Sequence, residues 1–120
     1  MQRDLRLRRR QDFSTVHRRG RSWANALLVA RVLPNGLPQS RYGFSISKRV
    51  GKAVVRNRIK RRLREAVRSL PVRGGVDLVL IARQPAAQAD YAQLLGAARG
   101  LIARAGLLLP PAPAKDVRPK

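Results

Sequence analysis

Apolar residues at Val55, Ile59, Leu63, Ala66, Val67 and Leu70 fall into one sector of a helix that turns by about 100° per residue, the i, i+4, i+8 spacing of a stripe facing a core. The loop Lys48 to Ala53 leads into this helix, and Pro71 with Gly74-Gly75 marks its end. Upstream, Gln11 to Arg19 reads as a short helix, with Asp12 as its N-cap and Gly20 as its stop. Phe13, Val16 and His17 share one side of it. Ala26 to Leu33 is an apolar strand, and the turn-forming Pro34-Asn35-Gly36-Leu37-Pro38 predicts a hairpin to the next one. In that next strand, Arg41 to Ser47, Tyr42, Phe44 and Ile46 alternate with Gly43, Ser45 and Ser47. The large residues are expected in the core, and the small ones on a shallow face over which an extended ligand could lie.

Val76 to Arg83 reads as a buried strand. Pro85 opens a turn, Asp90 is placed to cap a last helix, and Tyr91, Leu94, Leu95, Ala98, Leu101 and Ile102 form its apolar side, which Gly96 and Gly100 weaken. Met1 to Arg10 is too charged to pack, and from Pro110 the Pro, Ala and Lys mixture reads as disordered. The chain therefore divides into a flexible basic N-terminus (1–10), one α+β domain (11–106) and a tail (107–120). The element order is αββαβα, with helices covering a small sheet.

Charge changes the picture. The chain carries 27 Lys plus Arg against 6 Asp plus Glu, a formal net charge of +21 on 120 residues. On the side of the long helix away from the apolar stripe the same rotation collects Asn57, Lys60, Arg61, Arg64 and Arg68, flanked by Arg58 and Arg62 on one side and Arg56 on the other. A charge run is ordinarily a solvated face. Solvated helices mix signs, however, and here only Glu65 opposes repulsion of roughly 0.2–0.5 kcal/mol per like-charged i, i+4 pair. Such a face calls for a polyanion, and RNA fits it.

Self-contained catalysis finds no support. The acidic residues, Asp4, Asp12, Glu65, Asp77, Asp90 and Asp116, are scattered, whereas a two-metal nuclease needs clustered carboxylates. His17 is the only histidine, which leaves no His pair for acid–base cleavage, and there is no Gly-rich phosphate loop. The chain has no cysteine, no apolar run near the roughly 20 residues of a membrane span and no signal-peptide pattern, so a cytoplasmic location is expected. A ribosomal protein or a DNA-compacting protein would share much of this charge and size.

The block Arg56-Asn57-Arg58-Ile59-Lys60-Arg61, preceded by Ser45-Ile46-Ser47-Lys48-Arg49-Val50-Gly51 and followed by Leu63-Arg64-Glu65, resembles the signature of the bacterial ribonuclease P protein family. The similarity extends to Phe13 through Gly20 and to Asp77 through Arg83 with Pro85, spanning roughly residues 5 to 104. The resemblance implies a mixed sheet with a left-handed βαβ crossover, as in the second domain of a small-subunit ribosomal protein. No spacing argument would suggest it, because such connections are overwhelmingly right-handed. It also implies a division of labour in which a catalytic RNA, with Mg2+ bound mainly by that RNA, removes the 5′ leader of precursor tRNA. The protein, one copy per RNA subunit, would bind the RNA and hold the leader.

Carried over by position, the RNA-binding residues are Lys48, Arg49, Lys52, Arg56, Asn57, Arg58, Lys60, Arg61, Arg64 and Arg68. Asn57 adds no charge, and either an RNA contact or a capping and orienting role accounts for it. The leader cleft would be lined by Phe13, His17, Val29, Arg31, Ser45 and Ser47, giving bases flat surfaces and little hydrogen-bond readout. Family members often carry aromatic residues where this chain has His17 and Arg31, so stacking by imidazole and guanidinium is expected to replace part of theirs. Phe13 reads equally as a core residue until the resemblance is weighed, and Trp23 reads as packing.

Overall fold

The computed structural model describes residues 6–7 and 9–110. The order is α1 (Arg10–Arg19), β1 (Arg21–Ala24), β2 (Leu28–Pro34), β3 (Arg41–Ile46), α2 (Ala53–Ser69), β4 (Val76–Ala82), a 3-10 turn (Gln84–Gln88) and α3 (Tyr91–Arg104). Every element expected from the periodicity forms. One strand is added, since Arg21-Ser22-Trp23-Ala24 lacks an apolar run yet pairs antiparallel with β2 at the sheet's edge. Asn25 makes that hairpin. Its side-chain oxygen accepts from the Leu27 and Leu28 amides at 3.1 and 2.9 Å, replacing backbone partners through the tight turn.

The strands lie in the order β1-β2-β4-β3, with β4 antiparallel to β2 and parallel to β3. This corrects the expected hairpin: β2 and β3 are neighbours in sequence but not in space, because β4 lies between them. The reason is the composition of β4. Val76, Leu78, Val79, Leu80 and Ala82 are all buried, so the strand needs cover on both faces and a neighbour on both edges. The Pro34–Pro38 segment instead crosses the end of the sheet, and the Asn35 amide donates to the Gly75 carbonyl at 2.9 Å.

One face carries Leu28, Ala30, Val32, Leu78 and Leu80, packed under Ile59, Leu63 and Val67 of α2 and Leu94, Ala98, Leu101 and Ile102 of α3. Tyr42, Phe44, Ile46 and Trp23 border this core, as expected, and the Arg21 guanidinium lies 5.2 Å from the Trp23 ring centroid. The other face holds a smaller cluster of Leu7, Val16 and Val79 beneath α1. Side-chain capping explains the start of one helix, α3, and not that of α1. Asp90 and Gln93 form a reciprocal capping box at α3. At α1 the N-cap is Arg9, not Asp12. Asp12 lies one turn into the helix, where its carboxylate approaches Arg41 at 3.8 Å.

Gly20 does stop α1, although at φ −76°. What it supplies is room, since a Cβ there would lie 2.5 Å from the Val16 carbonyl oxygen and 3.0 Å from that of Val32. The N-terminal segment also departs from expectation. Leu7 is buried, and its amide donates to the Tyr42 carbonyl at 2.8 Å along the outer edge of β3. At the other end Leu107 is buried and Leu108 bridges to Val72, so packing runs past residue 106. The expected disorder from residue 111 onward lies outside the described residues.

One ion pair ties these layers together. Asp77, 5% exposed, accepts from Arg41 Nε at 2.9 Å and Nη2 at 2.7 Å, and from Asn35 Nδ2 at 3.0 Å. Its hydrogen bond with Asp77 raises Arg41 further above its already high pKa. Replacing Asp77 with Ala leaves a half-buried guanidinium without its carboxylate. It is expected to lower the unfolding free energy by about 2–3 kcal/mol in urea denaturation, whereas a loss below roughly 0.5 kcal/mol would show that the pair is dispensable.

Candidate nucleic-acid interface

Helix α2 buries the predicted stripe: Ile59, Leu63, Ala66 and Val67 are in the core, with Val55 half-buried at its start. Its opposite side leaves Lys52, Asn57, Lys60, Arg61 and Arg68 exposed, and Lys48 and Arg49 are exposed on the loop before it. Arg56, Arg58 and Arg64 are half-buried at the flanks. Not all of these cations are available. Arg56 donates through Nε to the Gly51 carbonyl at 3.0 Å, which braces the entry loop, and Arg68 pairs with Glu65 at 2.5 Å. Arg62, outside the expected set, donates to the Ala89 carbonyl at 3.0 Å and fixes α2 to the loop before α3.

Lys48, Arg49, Lys52, Arg58, Lys60, Arg61 and Arg64 make no side-chain hydrogen bond or ion pair among the described residues, and the Nε atoms of Arg58 and Arg64 are buried without an acceptor. The capping alternative for Asn57 is removed: the N-cap is Lys52, five residues earlier, and the Asn57 amide is exposed without a partner among the described residues. The first turn of α2 holds no acidic residue, so nothing on the helix itself offsets the positive end of its dipole.

The second candidate surface is the sheet face shared with α1. Strand register lays Val29, Ile81 and Ser45 in one row across β2, β4 and β3, and Arg31, Val79 and Gly43 in the next. Helix α1 covers the second row. Its Phe13 ring lies on Gly43, where an added Cβ would come within 2.5 Å of the ring. The first row remains uncovered, with Ser45 exposed and Val29 and Ile81 half-buried. Two strand spacings make this trough about 10 Å wide, the scale of a single extended strand.

Phe13, His17 and Ser45 line one open cavity of about 320 Å³ there, together with Arg10, Ser14 and Arg18. Ser47 falls in an adjoining cavity of about 410 Å³ at the C-terminal ends of β3 and β4, with Arg49, Arg83 and Gln84. Of the expected cleft residues, Arg31 stands apart. It donates to the His17 carbonyl, closing the C-terminus of α1 onto β2, and its Nε is buried without a partner. Its guanidinium is therefore committed to the cleft wall. Gly43 is likewise the covered floor beneath Phe13, not open sheet.

Sequence reasoning missed Ile81, Arg83, Arg10 and Arg18 on this surface. The signal for Ile81 was its parity with Val79 along β4. For the arginines only the docking of α1 and the position of the β4 end decide proximity.

A model of the family described as Ribonuclease P matches residues 1–106. The chain is 45% identical over 111 residues to the ribonuclease P protein component of Roseiflexus castenholzii, covering 90% of this chain and 91% of that one. It is 42% identical over 106 residues to that of Clostridium kluyveri, at 85% and 95% coverage. Among solved structures, the Staphylococcus aureus RNase P protein superposes with a TM-score of 0.80 at 31% identity, covering 88% of this chain and 98% of that chain. The Thermotoga maritima protein does so with a TM-score of 0.77 at 31% identity, covering 82% and 96%.

The Phe13–Gly43 contact sets how α1 sits over the trough. Gly43→Ala is expected to cost about 1–3 kcal/mol by overpacking, and clearly less in a Phe13→Ala background where the ring is gone. Additive losses in the double-mutant cycle would show that the two positions do not meet.

Proposed function

The chain belongs to the ribonuclease P protein family, and from this premise we propose that it binds the catalytic RNA through α2 and its entry loop while the trough between α1 and the sheet holds the 5′ leader of precursor tRNA. As the protein component of ribonuclease P it serves tRNA processing as part of a ribonucleoprotein. The observation that carries the finer reading is the pairing of two different surfaces on one small domain. One is a helix whose exposed side is cationic and almost without acids. The other is a narrow trough with apolar floor, aromatic edge and basic ends.

Each surface suits one ligand. Lys48, Arg49, Lys52, Arg58, Lys60, Arg61 and Arg64 offer charge to phosphates without reading sequence, which suits a large folded RNA. Phe13, His17, Val29 and Ile81 offer flat and apolar contacts to unpaired bases, with Ser45 and Ser47 adding small hydroxyls, so leader sequence should matter little. Chemistry is assigned to the RNA subunit and its magnesium. Among the described residues no three His, Cys, Asp or Glu side chains come together as a metal-sized group; the role assigned to this chain is binding and orientation. Among the described residues no helix is long and apolar enough to cross a membrane, and we place the ribonucleoprotein in the cytoplasm with one protein per RNA subunit.

The test is cleavage of a 5′-extended precursor tRNA by a bacterial ribonuclease P RNA at low magnesium, with and without the protein. Stimulated cleavage at the mature 5′ end is expected. Tight RNA binding with no stimulation would favour a ribosomal-type protein instead.

Two variants separate the surfaces. Arg61→Ala should weaken binding to the RNA subunit and reduce its log–log salt slope by about one, and an unchanged slope would remove Arg61 from the interface. Phe13→Ala should weaken binding of precursor with a leader while sparing mature tRNA. Equal losses for both ligands would make Phe13 purely structural.

A further inference from the structure

On the far side of Phe13 from the trough lies a second, smaller cavity of about 140 Å³, between the N-terminal segment, the outer edge of β3 and α2. Three cations reach it: Arg6 from the N-terminal segment, and Lys60 and Arg64, one turn apart on α2. Among the described residues no acidic side chain lines it. Gly43 lies at its floor with the Phe13 ring packed over it, and Tyr42 and Phe44 border it.

Two groups there lack partners among the described residues. The Arg64 Nε is buried with no acceptor, an arrangement that costs stability unless something supplies one. The second is the backbone of β3. The Leu7 amide donates to the Tyr42 carbonyl, so Tyr42 and the residue two further on, Phe44, turn their backbone groups to this outer edge. The ladder stops there: among the described residues, no backbone hydrogen bond joins Phe44 to the N-terminal segment. Among the described residues, three positive side chains, a guanidinium N–H without an acceptor and a strand-edge N–H without one thus belong to residues that line this small volume beside aromatic rings.

We propose that this notch is a pocket for one unpaired nucleotide of the RNA subunit, its phosphate held by Arg6, Lys60, Arg64 and the Phe44 amide and its base against the Phe13 and Tyr42 edge. This rests on the reading of α2 as the face that binds that RNA. Size agrees. A cavity of about 150 Å³ holds a benzene ring, so this one of about 140 Å³ seats the phosphate alone, with the base outside it against the aromatic edge. Position decides between RNA sources. Lys60 and Arg64 continue the exposed basic side of α2, whereas the Phe13 ring separates the notch from His17 and Ser45 in the leader trough. The N-terminal segment is thereby part of the interface, with Leu7 anchoring Arg6 beside the strand.

Arg6→Ala tests this, since Arg6 is exposed, lies outside the basic helix and carries no part of the core. In the full-length protein the variant should bind the RNA subunit about three- to tenfold more weakly with a salt slope lower by about one, while its preference for leader-bearing over leaderless precursor is unchanged. Titration of the protein alone with uridine 5′-monophosphate, followed by amide NMR, should move the Phe44 resonance in the native chain and much less in Arg6→Ala. Native affinity in Arg6→Ala beside tight wild-type binding would overturn the pocket. So would a loss confined to leader discrimination, which would place the leader there instead, or nucleotide-induced shifts that avoid Phe44. Failure of the wild-type protein to bind the RNA subunit would instead overturn the function on which the pocket rests, and the nucleotide titration still reports on the notch by itself.

Discussion

The constraint on which the architecture depends is the double-sided burial of β4. A seven-residue strand with five buried apolar side chains cannot lie at an edge or face water on either side. It must be flanked by β2 and β3 and covered by helices above and below. Helices α2 and α3 supply a complete cover on one face. On the other, α1 is ten residues long and covers only part of the sheet, so the row Val29, Ile81 and Ser45 is left open. The trough is what remains when a short helix covers one end of a strand that needed a longer one.

The same chain has a problem of charge, with far more cations than carboxylates. Its fold answers by using backbone carbonyls as acceptors. Arg31 reaches the carbonyl of His17, Arg56 that of Gly51, Arg62 that of Ala89, Arg83 that of Asn25 and Arg104 that of Ala24. These contacts close helix ends and pin loops, work that an ion pair would otherwise do. Among the described residues the one well-buried carboxylate, Asp77, is matched by Arg41 and by the Asn35 amide, joining β3, β4 and the loop after β2. Arginine abundance is therefore partly structural. Among the described residues, seven cations without side-chain partners lie on α2 and its entry loop, where a polyanion would relieve their mutual repulsion.

Phe13 links the two halves of the surface. Its ring sits on Gly43 and borders both the open trough and the notch beside Lys60 and Arg64. A single aromatic side chain thus divides the place where an unpaired leader would lie from the basic helix where a folded RNA would dock. On the proposed function the two ligands would be held within one domain without sharing a site.

The periodicities of α2 and α3, the alternation of β3 and the apolar run 78–82 of β4 were legible in the sequence, because each is set by which local face must leave water. The cationic side of α2 was legible for the same reason, since it is the complement of a buried stripe on one rigid element. Strand β1 was not: Arg21-Ser22-Trp23-Ala24 pairs because Asn25 turns the chain back along β2, and its residues carry no pattern of their own. The neighbours of β2 were not legible either, because pairing follows from where β4 must go, a competition among distant segments. The roles of individual arginines lay deeper still. Arg31 and Arg61 are alike in sequence, and only the placement of carbonyl acceptors by the tertiary fold commits one to the end of α1 and leaves the other exposed.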